Sequence, residues 1–107
     1  MVFHIVITRY LRPFPEMDAA MQDHQAYLDA CYRRGVFVLS GPRHPRDGGI
    51  ILARTDTRED LLEILQEDPF SARGLIEYDV IGWDLNRRAS ALPEALFPGS
   101  RTALPLQ

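Results

Sequence analysis

Two residues far apart in the chain carry side chains suited to proton transfer, His24 and Asp68. An imidazole titrates near neutral pH and serves as a general base. A carboxylate within reach of it fixes the tautomer and supports the imidazolium that forms on proton abstraction. Each residue also has a plainer reading. His24 sits in an apolar stripe, where a histidine can be a core residue satisfied by a carbonyl or a hydroxyl. Asp68 precedes Pro69, the pattern of a helix N-cap with proline at the first helical position. Spacing alone favours the plainer reading of each, although one carboxylate can both cap and orient.

Ser40, Gly41 and Pro42 fall where a strand is expected to end. Gly41 serves a turn or leaves room for a ligand, with the Ser40 hydroxyl or a backbone N–H directed at a developing oxyanion. Phe70, two residues beyond Asp68, joins the candidate substrate-binding set. Arg9, at the end of the first strand, is either a partner for an anionic substrate or a solvated strand end; Arg43, Arg46 and Arg73 are weaker candidates of the same kind.

Other chemistries find no footing. His4, His24 and His44 lie twenty residues apart and form no HxH or HExxH pattern, and Cys31 has no CxxC partner, so no metal site is expected. No GxGxxG follows a strand and no GxSxG elbow exists. All 12 basic residues are arginine, which removes Schiff-base chemistry and the P-loop lysine. Cys31 lies seven residues from His24, about 10 Å along a helix, and reads as core. No cofactor is called for.

The elements that would position these residues follow from periodicity. Val2–Thr8 is rich in β-formers and reads as a strand. Pro15, Glu16 and Asp18 signal a helix entry, and the spacing predicts one helix over Glu16–Arg34. Its stripe is Met17, Ala20, Met21, His24, Tyr27, Leu28 and Cys31, and Gly35 is its expected cap. Val36–Ser40 reads as a second strand broken by Gly41-Pro42, and Ile50–Arg54 as a third. Thr57, with Asp60 three residues on, starts a second helix whose buried face is Leu61, Leu62 and Leu65. Asp68-Pro69 ends that helix or begins a separate turn. Leu75–Leu85 is the last strand, with Glu77 and Asp79 on a wetter face.

The order β-α-β-β-α-β is the ferredoxin-like, split βαβ arrangement, an α+β fold with an antiparallel four-stranded sheet and two helices on one face. Residues 1–86 are expected to form the domain, and 87–107 a proline-rich extension. Apolar residues occupy both faces of the central strands, Val36 and Val38 on one and Phe37 and Leu39 on the other, with Ile50 and Leu52 opposing Ile51 and Ala53 in the same way, and the helices can cover only one. The other face is an apolar patch that a soluble monomer rarely exposes, so a homodimer is expected; the alternative is that the extension folds back over it.

At 107 residues, 46% hydrophobic and 25% charged, the chain reads as one globular domain. A net charge of −3 gives no counterion-release affinity for nucleic acid. No apolar run approaches the ~18 residues of a membrane span, and no secretory start is visible. With a single cysteine, a reducing, cytoplasmic setting is expected.

The runs HQAYLDACYRRGVFVLSGP (His24–Pro42), DGGIILART (Asp47–Thr55) and LLEILQEDPFSARGLIEYDVIGW (Leu61–Trp83) together resemble the YCII-related (YciI-like) family over about residues 1–85. The resemblance implies a ferredoxin-like subunit of a dimeric α+β barrel, with a site centred on a His and an Asp, here His24 and Asp68. One branch of that family removes HCl from a chlorinated hydroxyhydroquinone. The wider superfamily includes muconolactone isomerases and cofactor-free monooxygenases. The short loop Arg43–Asp47 and the extension depart from the family pattern. The expected function is cofactor-free lyase or isomerase chemistry on a small cyclic or aromatic molecule. The alternative is a non-catalytic module of the same fold that binds a small molecule or a protein.

Overall fold

The structure, a computed structural model, describes residues 1–102. It comprises β1 (Val2–Tyr10), α1 (Phe14–Ala19), α2 (Met21–Arg33), β2 (Phe37–Pro42), β3 (Gly49–Thr55), α3 (Arg58–Gln66), α4 (Pro69–Ala72) and β4 (Ile76–Trp83). The four strands form one antiparallel sheet in the order β2-β3-β1-β4. The expected α+β, ferredoxin-like arrangement is present. Beyond it, β5 (Arg87–Arg88) and β6 (Arg101–Thr102) pair in parallel around a short turn of 3-10 helix, Glu94–Leu96.

Strand alternation divides the apolar residues between two faces. Val6, Ile51 and Ala53 pack under the helices with Cys31, Leu61 and Leu65. A second cluster joins Met17 and Ala20 to Phe70 and Ile76. α2 ends in a Schellman motif: Val36 N–H bonds to the Cys31 carbonyl and Gly35 N–H to the Tyr32 carbonyl. Gly35 takes the positive φ of 74° that this turn needs.

Three expectations need correction. The first helix is not continuous. It breaks at Ala20 (φ −102°, ψ 0°) into α1 and α2. No residue there forbids a helix; the bend accompanies burial of both Met17 and Ala20 against Phe70, a tertiary gain that propensity does not register. Gly41-Pro42 does not break the second strand, which runs through both residues opposite Ile50 and Gly49. β2 is an edge strand, and proline is tolerated at a sheet edge. Leu39 does not share a face with Phe37, because a bulge shifts the register between them. Phe37 stays in the core while Leu39 is exposed on the far face. β1 also runs on to Tyr10, paired with β4 from Phe3 onward.

The face away from the helices is partly covered by the extension. Phe97 packs on Phe3 and Leu52, and Arg54 holds the segment by bonds to the Ala95 and Leu96 carbonyls at 3.1 and 2.9 Å. The rest of that face is open: Leu39, Ile50, Ile81 and Trp83 are all exposed. Leu104, Pro105 and Leu106 lie outside the described residues. No helix among the described residues is long and apolar enough to cross a membrane.

Candidate active site

α2 carries His24 on its inward stripe, and the N-cap of α4 carries Asp68. Helix α3 ends at Gln66, and Asp68 takes an extended conformation (φ −62°, ψ 125°), as a residue before proline must. Its Oδ1 accepts from Phe70 N–H at 2.9 Å, the capping bond, and also meets His24 Nδ1 at 2.9 Å. Both side chains are largely buried, at 16% exposure for His24 and 6% for Asp68. The Phe70 ring lies against the imidazole, with centroids 3.9 Å apart and planes inclined by 7°. α2 is tied to both following helices: Tyr27 O–H donates to the Ile64 carbonyl of α3 at 2.6 Å, and Arg73, which ends α4, pairs with Asp23 at 2.8 Å.

An ionised carboxylate only accepts hydrogen bonds. The Asp68 contact therefore assigns the imidazole proton to Nδ1 and leaves the Nε2 lone pair free to take a proton. No hydrogen bond engages Nε2 among the described residues. This is the tautomer a general base requires.

His24, Asp68 and Phe70 form one wall of a cavity of about 260 Å³ between α2, α4 and the sheet. Ser40, Gly41 and Pro42 line it as well, so the structure brings six of the seven candidate residues together. The Ser40 hydroxyl is also 2.6 Å from Tyr32 Oη. Apolar walls come from Met21, Leu28 and Ile76.

Arg9 is the residue the structure does not bring in. Thr8 and Tyr10 line the cavity, and strand alternation sends Arg9 to the other face. There its guanidinium lies 2.6 Å from Glu77, its cross-strand partner. The arginine at the cavity is Arg46, from the β2–β3 loop. Met21 and Leu28, three and four residues from His24, belong to the stripe that helical spacing marks out, and they line the cavity beside it. A loop has no period, and nothing in the sequence distinguishes Arg46 from Arg43.

Cys31 is buried in the core, and burial raises its thiol pKa, which suits packing and not nucleophilic attack. His4 is also buried, with its Nε2 3.1 Å from Thr55 Oγ1, and is not among the residues that line this cavity. Among the described residues, no three His, Cys, Asp or Glu side chains converge as metal ligands would.

The YCII-related domain family matches residues 1–84, a span that carries every residue of this cavity. The chain belongs to the YCII-related family. No curated protein matches it in sequence. Among solved structures, it is similar to 5-chloro-2-hydroxyhydroquinone dehydrochlorinase (TftG) from Burkholderia phenoliruptrix AC1100, determined with 2,5-dihydroxybenzoquinone bound. That likeness has a TM-score of 0.67 at 18% identity and covers 80% of this chain and 96% of the dehydrochlorinase. At that identity it is a likeness of fold. The YCII-related match ends before β5, so the covering extension lies beyond the family domain.

Proposed function

We propose that this YCII-related chain is a cofactor-free enzyme that moves a proton on a small cyclic or aromatic molecule, in a reaction of lyase or isomerase type. The 2.9 Å contact between His24 Nδ1 and Asp68 Oδ1 at the wall of a ligand-sized cavity carries the reading. His24 Nε2 takes the proton from an acidic hydroxyl or carbon of the substrate. Asp68 holds the ring and stabilises the imidazolium. Phe70 holds the ring's plane. Ser40, a lining residue of the cavity, and neighbouring backbone groups of β2 hold the oxyanion that develops. The fold neighbour's named reaction, removal of HCl from a hydroxylated ring, belongs to the same class of proton-abstracting chemistry.

The open part of the sheet supports a homodimer. Leu39, Ile50, Ile81 and Trp83 form an apolar surface of the kind that a second copy buries.

The test is turnover on a panel of halogenated hydroquinones and ring lactones. His24→Ala and Asp68→Asn should each lower turnover by about 10²-fold or more while far-UV circular dichroism stays unchanged. Wild-type rates in both variants would overturn the proposal.

A further inference from the structure

The cavity has an unbalanced charge at its mouth. Of its lining residues, only Asp68 is a carboxylate, and Asp68 is buried and already committed to His24 and to the Phe70 amide. Arg46 lines the same cavity. Its guanidinium lies 5.4 Å from the centroid of the Phe14 ring, a cation–π contact, and forms no ion pair among the described residues. The adjacent acid, Asp47, is taken by Arg43 at 3.5 Å.

The loop that presents Arg46 is fixed to the sheet. Tyr10 N–H donates to the Asp47 carbonyl at 2.8 Å, and Arg43 N–H donates to the Gly48 carbonyl at 2.9 Å. Gly48 presses so closely on β1 that a Cβ there would stand 1.9 Å from the Thr8 carbonyl oxygen. A cation held at the rim without a carboxylate, above walls formed by Met21, Leu28 and Phe70, suits a particular ligand chemistry: a flat carbon frame with a negative group at the outer end.

Resting on the small-molecule reading above, we infer that Arg46 is the anion-binding residue of this cavity and that its ligand is a cyclic molecule bearing a carboxylate or a ring-bound oxyanion. The guanidinium fork matches a carboxylate with two donors and a ring oxygen with one. Phe14 holds the fork in place before the ligand arrives. Arg46 so placed would set which molecules enter, while His24 acts on them.

The test compares matched probes by calorimetry at low salt: 4-hydroxybenzoate against 4-hydroxybenzamide, and 4-nitrophenolate against 4-nitroanisole. The wild-type chain should prefer at least one anion over its neutral counterpart by about tenfold or more, as a charge-assisted bond implies. Arg46→Gln should remove that preference without changing binding of the neutral member, and Arg46→Lys should keep part of it. Preference in the first pair alone identifies a carboxylate subsite, and in the second alone a ring-oxyanion subsite. Equal or absent binding of both members in both pairs, or a preference that survives Arg46→Gln, overturns the inference. The outcome is separable from the acid–base reading. A preference lost in Arg46→Gln, with turnover untouched by His24→Ala, keeps the subsite and discards the base. The opposite pattern keeps the base and discards the subsite.

Discussion

His24 and Phe70 share one anchor: Asp68 Oδ1 accepts the Phe70 backbone N–H and meets His24 Nδ1, each at 2.9 Å, while the two rings lie face to face. The bond that caps α4 therefore also aims the imidazole. Local helix stability and site geometry are coupled through a single oxygen.

Asparagine and alanine at position 68 should consequently separate the two roles. Asn is as good an N-cap as Asp, so Asp68→Asn should fold with near wild-type stability, yet it removes the charge that supports the imidazolium. Turnover should fall by roughly 10²–10⁴-fold. Asp68→Ala should lose the cap as well and cost about 1–3 kcal/mol in urea unfolding. Equal stability of the two variants would contradict the capping role.

Phe70 should matter to folding as well as to the site. It is 2% exposed and packs with Met17, Ala20 and Ile76. Phe70→Ala should cost about 3–5 kcal/mol. Phe70→Leu keeps more of the volume but removes the flat support of the imidazole, so it should lower kcat more than stability. Unfolding midpoints measured beside steady-state rates give that comparison.

His4 makes stability depend on pH. The Thr55 hydroxyl donates to the Thr57 carbonyl at 2.5 Å, so Thr55 Oγ1 accepts from His4 Nε2–H. His4 Nδ1 is buried without a partner among the described residues. Burial, and secondarily the Arg58 charge, hold the imidazole below its ordinary 6.5. The unfolded chain then binds the extra proton more readily than the folded one. This contribution is complete above pH 6.5 and is lost as pH falls towards the lowered folded value. Urea unfolding across that window should show wild-type stability declining on acidification, by at most about 1.4 kcal/mol per pH unit for one proton. His4→Gln should flatten this component of the slope. An unchanged slope would show that His4 does not contribute.

The open sheet face gives a prediction about assembly. Ile81 is 52% exposed and faces Ile5 across the β1–β4 ladder. If a second copy covers it, light scattering should report a dimer for the wild type and a monomer for Ile81→Asp, with circular dichroism unchanged. A wild-type monomer, or a dimer that tolerates the new charge, would rule this face out. Phe97→Ala acts on the same face, where the extension covers Phe3 and Leu52. It should lower stability by up to about 3 kcal/mol.

The order of elements, the two-faced strands, the inward stripe of α2 and the capping position of Asp68 were legible in the residues themselves. These are matters of period and local chemistry: a turn of helix every 3.6 residues, alternation in a strand, a carboxylate before a proline. The resemblance to the YCII-related family, carried by runs from His24 to Trp83, pointed to His24 and Asp68 as a pair, and the 2.9 Å contact brings the two together. Three features depended on contacts between distant segments. The break at Ala20 reflects packing of Met17 on Phe70, which no window around residue 20 contains. The continuation of β2 through Pro42 depends on its place at the edge of the sheet, a consequence of strand order. The exchange of Arg9 for Arg46 at the cavity turns on which way one strand residue points and where one loop is pinned. Arg9 is directed by the pairing register to Glu77, and Arg46 is carried to the rim by a glycine pressed against Thr8. Periodicity specifies the faces of an element, but only the packed chain decides what each face meets.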